Sequence, residues 1–493
     1  MSVRSKPNRE GEVFAQPEYG GNELPEGWAS GRFDSITELN PRHPSGLDDS
    51  QLVTFVPMTC VSESSPDFDR SNERPLAEVR KGYTHFADGD VLFAKITPCM
   101  ENGKGAVATG LKNGLGCGTT ELHVIRPLGG INPHYVYRFL QQESVRRGAA
   151  ANFTGSAGQL RAPMSFIAEL ELPLPPLAEQ RRIVGKLELL LGKVSSSQQR
   201  LSRVPGLLKR FRQSVLAAAC SGKLTADWRE SFPTEPCGDS EELSELPTSW
   251  RTQVLESITE AGRPISYGVL KPGPFVEDGI PLVRIVDIVR DRLALDEMHR
   301  VSPELSAQYR RTVLSGGEIL ISLVGTIGRI AWSPPVLCGA NVHRNIGVIA
   351  SGADVDSKFL SFSMQSESVQ SQIRDVTTGA SQPLLNLGDV RQLRIAIPPL
   401  TEQQEIVRRV EKLFAFADQI EARLKQAQTH VDRLTQSLLR KAFRGELVPT
   451  EHTLATADGR DYESASGLLE RIQTSERAES QQPRQKRRQV RKK

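Results

Sequence analysis

The stretch PPLAEQRRIVGKLELL at residues 175–190 returns as PPLTEQQEIVRRVEKL at residues 398–413, which is 223 positions further along a chain of 493 residues. The match continues without a gap to Gly222 and Gly445. Upstream, a Leu-Pro-x-x-Trp motif that ends at Trp28 returns in a copy that ends at Trp250. Several landmarks repeated in one order indicate a duplicated architecture. We therefore predict two related halves followed by a tail.

An apolar seam follows each Pro-Pro-Leu motif, and its spacing alternates between four and three residues. The seam positions are Ile183, Leu187, Leu190, Val194, Ser197, Leu201, Val204, Leu208, Phe211 and Val215, and then Ile406, Val410, Leu413, Ala417, Ile420, Leu424, Ala427, Val431, Leu434 and Leu438. A sustained period of about 3.5 residues predicts two long helices that pack against each other. They are antiparallel if a two-fold axis relates the halves. The alternative is two amphipathic helices that each lie on their own half.

Two local features modify this helix prediction. Pro205 has no amide hydrogen, so we expect it to kink or split the first helix. Thr401 followed by Gln404 fits a capping box, which predicts the start of the second helix. The first copy has Ala178 at the position of Thr401, so the firmer start is expected only in the second copy.

The parts that precede the two seams look like mixed α/β globules. Short β-prone runs at 90–96 and 318–324 lead into glycine-rich turns, and the stretch Tyr135–Val145 has a helical pattern that returns as Phe359–Val369. We therefore predict the α+β class, with two globules in tandem that are each followed by a long helix. The predicted boundaries are an N-terminal arm at 1–23, a first globule at 24–176, its helix at 177–222, a linker at 223–245, a second globule at 246–399, its helix at 400–447 and a disordered basic tail at 448–493.

Composition excludes several classes of protein. The chain has 62 Lys and Arg against 59 Asp and Glu, a net charge of +3, and residues 475–493 alone carry +6. Any DNA-binding surface must therefore arise from local patterning. The chain has no apolar run of the roughly 18–20 residues that span a bilayer, no secretory signal and no C-x-x-C pair. We expect a cytoplasmic protein with reduced thiols and with neither a zinc site nor disulfides.

The sequence also lacks the usual motifs of enzymes that act on nucleic acids. It has no P-loop, no dinucleotide fingerprint and no His-Glu-x-x-His. Asn132-Pro133-His134-Tyr135 is superficially like the N-P-P-[YF] of adenine methyltransferases, but Asn before Pro is a good helix N-cap, and Asp356 occupies the aligned place. His123 and His343 fit wall positions in strands. We predict no catalytic and no metal-binding residues.

The doubled Pro-Pro-Leu-x-Glu-Gln motif, with a globule before it and a heptad helix after it, resembles the specificity (S) subunit of type I restriction–modification enzymes. The resemblance covers Leu24 to Leu447. It implies that each globule is a target-recognition domain for one part of a bipartite, asymmetric site in double-stranded DNA. It also implies that the helices form an antiparallel coiled coil with pseudo-two-fold symmetry, which spaces the globules and docks methyltransferase (M) subunits.

Further expectations follow from this resemblance. The partners would be two M subunits and the restriction (R) subunits, and no membrane would be involved. Catalysis would belong to those partners, together with S-adenosylmethionine, ATP and Mg, and this chain would hold no cofactor. A helix over residues 183–215 would be about 50 Å long, and one turn of B-DNA is about 34–36 Å. A helix of this length can hold two DNA-recognition domains on successive turns of the DNA.

Residues that read DNA should be Arg, Lys, Asn, Gln or hydroxyl side chains on loops near the β runs. The candidates are Lys95, Thr97, Asn102, Lys104, Gln159 and Arg161 in the first half, and Thr326, Arg329, Asn341, Arg344, Ser381 and Gln382 in the second half. Gly103 and Gly105 would allow close backbone approach, and Lys95 and Arg329 are the strongest choices. The alternative for each candidate is a solvated loop residue.

Three other interpretations of the sequence stay open. The basic tail Arg484–Lys493 is either a solvated arm or a grip on phosphates that reads no sequence. The whole chain is alternatively a coiled-coil scaffold whose globules bind protein or carbohydrate. A self-contained methyltransferase would instead have to bind S-adenosylmethionine on the isolated chain.

Overall fold

The computed structural model describes residues 23–63, 65–156, 159–232, 246–289, 292–377 and 384–481, and side chains as far as Ser475. The chain forms two compact units. Unit 1 combines the residues up to Arg200 with those from Ala427 onward, and unit 2 is Leu201–Gln426. The N-terminal arm expected at 1–23 lies outside the described residues except for Glu23.

The first globule consists of short strands and short helices, and a long helix follows it. In chain order the elements are β1 Ala29–Arg32, α1 Phe33–Ile36, β2 Thr37–Leu39, β3 Leu52–Val56, β4 Glu73–Pro75, α2 Leu76–Val79, β5 Thr84–Ala87, β6 Val91–Ala94, β7 Gly105–Val107, β8 Leu115–Gly118, β9 Leu122–Pro127, α3 Pro133–Leu140, α4 Glu143–Ala151, α5 Met164–Glu169, β10 Glu171–Leu174 and the long helix α6 Leu177–Cys220.

Two four-stranded sheets form the body of this globule, in the orders β2-β9-β6-β7 and β4-β3-β8-β5. Its first and last strands close it, because β1 pairs antiparallel with β10, with Ala29 opposite Leu174. The core lies under α3, where the rings of Tyr135 and Phe139 pack 4.9 and 5.4 Å from the ring of Phe443. Each such buried aromatic side chain contributes about 2–3 kcal/mol.

The second globule has a similar element order and is again followed by a long helix. The elements are α7 Ala226–Ser231, β11 Arg251–Val254, β12 Ser266–Tyr267, β13 Ile280–Val283, β14 Ile288–Val289, β15 Arg292–Leu293, β16 His299–Val301, α8 Pro303–Gln308, β17 Ile319–Ser322, β18 Ile330–Trp332, β19 Asn341–Val342, β20 Ile346–Ile349, α9 Ser357–Gln365, α10 Glu367–Val376, α11 Leu387–Arg391, β21 Arg394–Ile397 and the long helix α12 Leu400–Phe443.

The sheets of the second globule keep the plan of the first. The strand orders are β12-β20-β17-β18 and β16-β13-β19, with a separate β14-β15 hairpin. The first strand again pairs with the last, because β11 is antiparallel to β21, with Arg251 opposite Ile397. The parallel pair β13–β19 corresponds to the parallel pair β3–β8 of the first globule. The α+β class predicted from sequence is confirmed.

The two long helices, α6 and α12, each have 44 residues and pack against each other antiparallel. In unit 1 the Gln198 side chain donates a hydrogen bond to Asp432 at 2.9 Å. In unit 2 the Arg212 guanidinium lies 2.7 Å from a carboxylate oxygen of Asp418. The fully buried seam residues are Ile183, Leu187, Ile406, Val410 and Ala417. The coiled-coil prediction is therefore confirmed.

Three local predictions were wrong or incomplete. Pro205 lies inside α6, which continues past it as one helix, so the helix is not split. Helix α12 begins at Leu400, so Thr401 lies within the first turn and is not its N-cap. The stretch Tyr135–Val145 is two helices, α3 and α4, rather than one.

The Asn132 side chain accepts a hydrogen bond from the amide of His134 at 2.9 Å, which confirms the capping prediction.

The segment expected to be a disordered tail is ordered over most of its length. Residues 448–481 contain helices α13 Glu451–Asp458 and α14 Ala465–Gln481. Leu468 and Ile472 of α14 are buried in the core of the first globule. The expectation was wrong here because the low apolar content of this segment hid a one-sided apolar face. The basic end, Arg484–Lys493, lies outside the described residues.

The linker expected at 223–245 also begins with folded structure. Its start forms a short turn and helix α7, and the Thr225 side chain is buried and donates a hydrogen bond to Glu402 at 2.7 Å. Residues 233–245 lie outside the described residues. Over the described ranges, every helix falls short of the length and apolar character that crossing a membrane demands.

Candidate nucleic-acid interface

The β6–β7 hairpin of the first globule carries four of the six candidates of that half in one loop, residues 95–104. The amide of Ala94 donates to the carbonyl of Lys104 at 3.0 Å, which closes the loop. Gly103 has a φ of +77°, and the Gln141 side chain donates to its carbonyl at 2.7 Å. A Cβ on Gly105 would lie 2.8 Å from the carbonyl oxygen of Leu92, so this glycine serves the hairpin itself.

The other two candidates of this half come from a distant segment that the fold brings to the same loop. The amide of Thr97 donates to the carbonyl of Leu160 at 3.0 Å, and that of Ala162 donates to the carbonyl of Lys95 at 2.8 Å. Ile96 and Arg161 form an isolated β-bridge. The structure therefore places Lys95 and Thr97 beside Gln159 and Arg161, as a single surface.

The side chains of this surface are not equally available to a ligand. Arg161 holds Glu121 through two hydrogen bonds of 2.8 Å, and these hold the pKa of the Glu121 carboxyl below its usual range against the effect of burial. Asn102 donates to Glu63 at 3.0 Å. Thr97 donates to Glu101.

The two lysines of the loop differ from these residues. Lys95 and Lys104 are half-buried and make no side-chain hydrogen bond or ion pair with any residue that the structure describes. Their ammonium groups are therefore the free cations of the loop.

The β17–β18 hairpin of the second globule has the same backbone plan with a shorter loop. The amide of Ser322 donates to the carbonyl of Arg329 at 3.0 Å, as Ala94 does to Lys104. Val324 and Leu384 form the bridge that Ile96 and Arg161 form in the first globule. Arg329 is therefore the structural counterpart of Lys104. The aligned partner of Lys95 is the apolar Leu323, so the two hairpins present different side chains.

Arg329 lies on the wall of a groove of about 1610 Å³ within unit 2. Its guanidinium donates to the carbonyl of Ile288 at 3.1 Å, which fixes its direction. Five further cationic side chains line the groove, two from the long helix α6 and three from the second globule. They are Lys209, Arg212, Arg292, Lys358 and Arg374.

Most of these cations are paired with carboxylates. The carboxylate of Asp418 forms ion pairs with the guanidinium of Arg212 at 2.7 Å and with that of Arg292 at 2.6 Å. Burial raises the pKa of the Asp418 carboxyl, but the two guanidinium groups outweigh it, so the net pKa lies below the usual value. Lys358 pairs with Glu411, and Arg374 with Glu367. Among the described groups of the groove, Lys209 and Arg329 have no carboxylate partner.

The remaining candidates of the second half have different positions. Thr326 lies exposed in the hairpin loop, and Arg344 is exposed after β19. Asn341 is fully buried in β19, and its amide finds no hydrogen-bond partner among the described residues. Burial keeps it away from any ligand on this surface. Ser381 and Gln382 lie outside the described residues.

Sequence reasoning missed the contribution of the long helices and of the β14–β15 hairpin to this groove. Lys209 and Arg212 each follow an apolar seam position, Leu208 and Phe211, and so flank the helix–helix seam. A basic residue beside a seam position points to the surface next to the partner helix, which was the available signal. No comparable pattern marks Arg292.

These features define a class of protein with two tandem α+β globules, paired long helices and cationic hairpins of different composition. A family model for the type I restriction modification DNA specificity domain matches residues 28–205 and 257–428. The chain therefore belongs to the type I restriction–modification specificity family. The members of this family are the non-catalytic DNA-recognition subunits of type I restriction enzymes.

Named relatives agree with this assignment. The chain is 38% identical over 314 residues to the EcoBI specificity subunit of Escherichia coli, a match that covers 63% of this chain and 65%, just under two thirds, of that subunit. It is 27% identical over 506 residues to the EcoEI specificity subunit of Escherichia coli, covering 85% of this chain and 83% of that one. It is 31% identical over 369 residues to the StySPI specificity subunit of Salmonella potsdam, covering 72% and 74%.

Two solved structures share the fold. The HsdS subunit from Thermoanaerobacter tengcongensis superposes with a TM-score of 0.58 at 20% identity, covering 87% of this chain and 100% of that one. A chain from a structural study of complex assembly and conformational transition in the type I R-M system has a TM-score of 0.67 at 19% identity, covering 86% and 100%. At these identities the likeness supports the fold alone.

Proposed function

We propose that this chain recognises a bipartite, asymmetric sequence in double-stranded DNA, with one globule for each part. The observation that carries the proposal is the structural equivalence of Lys104 in the first globule and Arg329 in the second. They occupy the same backbone position in two equivalent hairpins, yet the residues around them differ. Equal scaffolds with unequal side chains are what two different readers require, because base identity is read by side chains at groove edges.

Arg329 is the best single candidate for base or phosphate recognition. Its guanidinium is held by a backbone carbonyl and by no carboxylate within the described residues, on the wall of a groove with six cationic side chains. A guanidinium fixed in this way keeps donors free for the O6 and N7 atoms of guanine or for phosphate. In the first globule Lys95 and Lys104 play the corresponding part, with Thr97, Asn102, Gln159 and Arg161 around them.

The long helices set the spacing of the two readers and dock the methyltransferase subunits. Three large apolar side chains on these helices support docking, because they are more than half exposed: Leu189 at 56%, Leu207 at 53% and Phe416 at 57%. We infer a cytoplasmic complex with two M subunits and with R subunits. S-adenosylmethionine, ATP and Mg belong to those partners, and this chain holds none of them.

Selection from a random duplex DNA library by the assembled complex with its methyltransferase subunits tests this function. We expect the wild-type complex to select two short specified parts separated by unspecified bases. R329A should weaken selection in one part only, and R311A, which removes an exposed arginine that does not line the groove, should leave both parts unchanged. Selection of no sequence would favour a scaffold for protein or carbohydrate instead.

A further inference from the structure

Three potential metal ligands that are far apart in the sequence meet in the first globule. They are His43, in the segment after β2, His85 on β5 and Cys117 on β8. One ligand atom from each of the three lies within 4.8 Å of the other two. His85 and Cys117 are direct partners in the antiparallel β5–β8 ladder, so both side chains project from the same face of the sheet. The segment after β2 brings the third ligand over that face.

Both imidazoles are held in the tautomer that metal binding needs. Nε2 of His43 lies 2.9 Å from the carbonyl oxygen of Phe86, and Nε2 of His85 lies 2.9 Å from that of Arg80. A carbonyl oxygen only accepts hydrogen bonds, so each Nε2 carries the proton and each Nδ1 has a lone pair. A histidine that ligates a metal is commonly oriented in this way by a backbone carbonyl.

The imidazole of His43 lies between the backbone of Phe86 and that of Gly116. Its Nδ1 is buried and finds no hydrogen-bond partner, which is costly for a polar atom. The Nδ1 of His85 receives only a long contact of 3.4 Å from the amide of His43. Burial lowers the pKa of both imidazoles, and it raises the pKa of the Cys117 thiol to about 12.

We propose that His43, His85 and Cys117 form a binding site for a zinc-class metal ion, with Nδ1, Nδ1 and a thiolate as ligands. Two imidazole nitrogens and one sulfur suit the borderline-soft Zn²⁺, and a fourth tetrahedral position is left for water. The proton of the Cys117 thiol leaves to solvent when the metal–sulfur bond forms. The ion ties the segment after β2 to the β4-β3-β8-β5 sheet.

The present geometry defines what must change on binding. The two imidazole rings are stacked with centroids 4.4 Å apart and an angle of 24° between their planes. A metal lies close to the plane of each ligating ring, so one ring must turn out of this stack. The guanidinium groups of Arg42, Arg80 and Arg126 act on these imidazoles. Arg80 is already held by Asp49 at 3.0 Å and by the carbonyl of Leu47 at 2.7 Å, and Arg126 by Asp90 at 2.7 Å. The thiolate offsets one charge of the ion.

Among its described residues, the second globule has no equivalent set of ligands. Its strand β19 corresponds to β8, and the place of Cys117 is taken by Asn341. The site is therefore specific to the first globule, and it is independent of the proposed DNA function. The site could not be predicted from sequence, because the ligands are 42 and 32 residues apart and fit no metal-binding motif.

Metal binding to the purified full-length chain tests the proposal. We expect one equivalent of Zn²⁺ by elemental analysis after dialysis, and a Co²⁺ complex that shows a thiolate-to-metal charge-transfer band. C117S should lose the band and bind Zn²⁺ at least tenfold more weakly, and the matched control C338S, at an exposed thiol, should behave as wild type. H43Q, at a half-buried position, replaces C117S as the deciding variant if C117S does not fold.

Two results would overturn the proposal. One is wild-type protein that binds Zn²⁺ no more tightly than a folded C117S or H43Q variant. The other is a Co²⁺ complex without a thiolate band, which would leave the three residues as a stacked histidine pair beside a core thiol.

Discussion

The indole nitrogen of Trp28 donates a hydrogen bond to Glu179 at 3.0 Å, across 151 residues of sequence. Trp250 makes the same contact to Glu402 at 3.1 Å across 152 residues. Each contact joins the two repeated motifs that indicated the duplication, Leu-Pro-x-x-Trp and Pro-Pro-Leu-x-Glu-Gln. The repeated motifs are therefore a structural clamp that fixes each globule on the first turn of its long helix.

The two clamps differ in their further partners, and we expect unequal stability effects. The fully buried carboxylate of Glu402 also forms an ion pair with Arg229 and accepts a hydrogen bond from the hydroxyl of Thr225. The carboxylate of Glu179 instead accepts a hydrogen bond from the backbone amide of Glu451 at 2.7 Å. E402Q leaves a guanidinium without its anion and should cost about 2–4 kcal/mol. E179Q loses a hydrogen bond to a backbone amide and should cost about 1–2 kcal/mol.

Urea unfolding followed by tryptophan fluorescence measures this difference. The control is E230Q, at an exposed position in helix α7, which should change the free energy of unfolding by less than about 0.5 kcal/mol. Equal losses for E402Q and E179Q would mean that the ion pair to Arg229 adds nothing to the clamp.

Stability should fall as the pH drops from 6.5 toward 4, because of His123. Burial lowers the pKa of this side chain to about 4, and its Nε2 donates to the carbonyl of Ala162 at 2.9 Å. Between the folded pKa and the unfolded value of about 6.5, the unfolded chain binds the extra proton. Each pH unit in that window therefore removes up to about 1.4 kcal/mol.

Replacing His123 isolates this effect. H123Q should flatten the change in unfolding free energy between pH 6.5 and 4.5, and H430Q, at an exposed position in α12, should keep the wild-type slope. Urea unfolding at several pH values gives both curves. A wild-type slope in H123Q would mean that other buried histidines carry the dependence.

The C-terminal helix α14 is part of the first globule's core, so it should be needed for stability. Leu468 is 1% exposed, and L468A should cost about 2–4 kcal/mol through lost contacts and the cavity left behind. E470A, on the exposed side of the same helix, is the matched control and should change little. Thermal unfolding separates the two, and equal midpoints would show that α14 adds nothing to the core.

The basic end of the chain should add affinity without adding sequence choice. Residues 482–493 hold seven Lys and Arg and no acidic residue. A chain that ends at Gln481 keeps α14 and should bind non-specific DNA more weakly, with a shallower dependence on salt, because each phosphate contact contributes about 0.9 to the slope. The selected sequence should stay the same. A changed sequence would mean that this segment reads bases.

Much of the fold could be predicted from sequence, because duplication and heptad spacing are patterns along the chain. The closing strand pairs could not, because they join segments that are about 140 residues apart in the sequence. The equivalence of Lys104 with Arg329 could not, because the loop between the paired strands is shorter in the second hairpin. Lys95 and Arg329 were the two strongest candidates from sequence, and the structure shows that they are not equivalent, because Lys95 aligns with Leu323. Folded residues after Leu447 were missed because the apolar residues of α14 are few. They pack closely on the first globule, with Leu469 against Gly31 and Ile472 against Gly129.

Methylome sequencing of cells that carry the whole system tests the central claim most directly. The account predicts one asymmetric methylated motif, made of two specified parts separated by unspecified bases. In cells with R329A, one part should relax while the other part and the spacing stay fixed. A single continuous motif, or relaxation of both parts together in R329A cells, would contradict the claim that each globule reads its own part of the site.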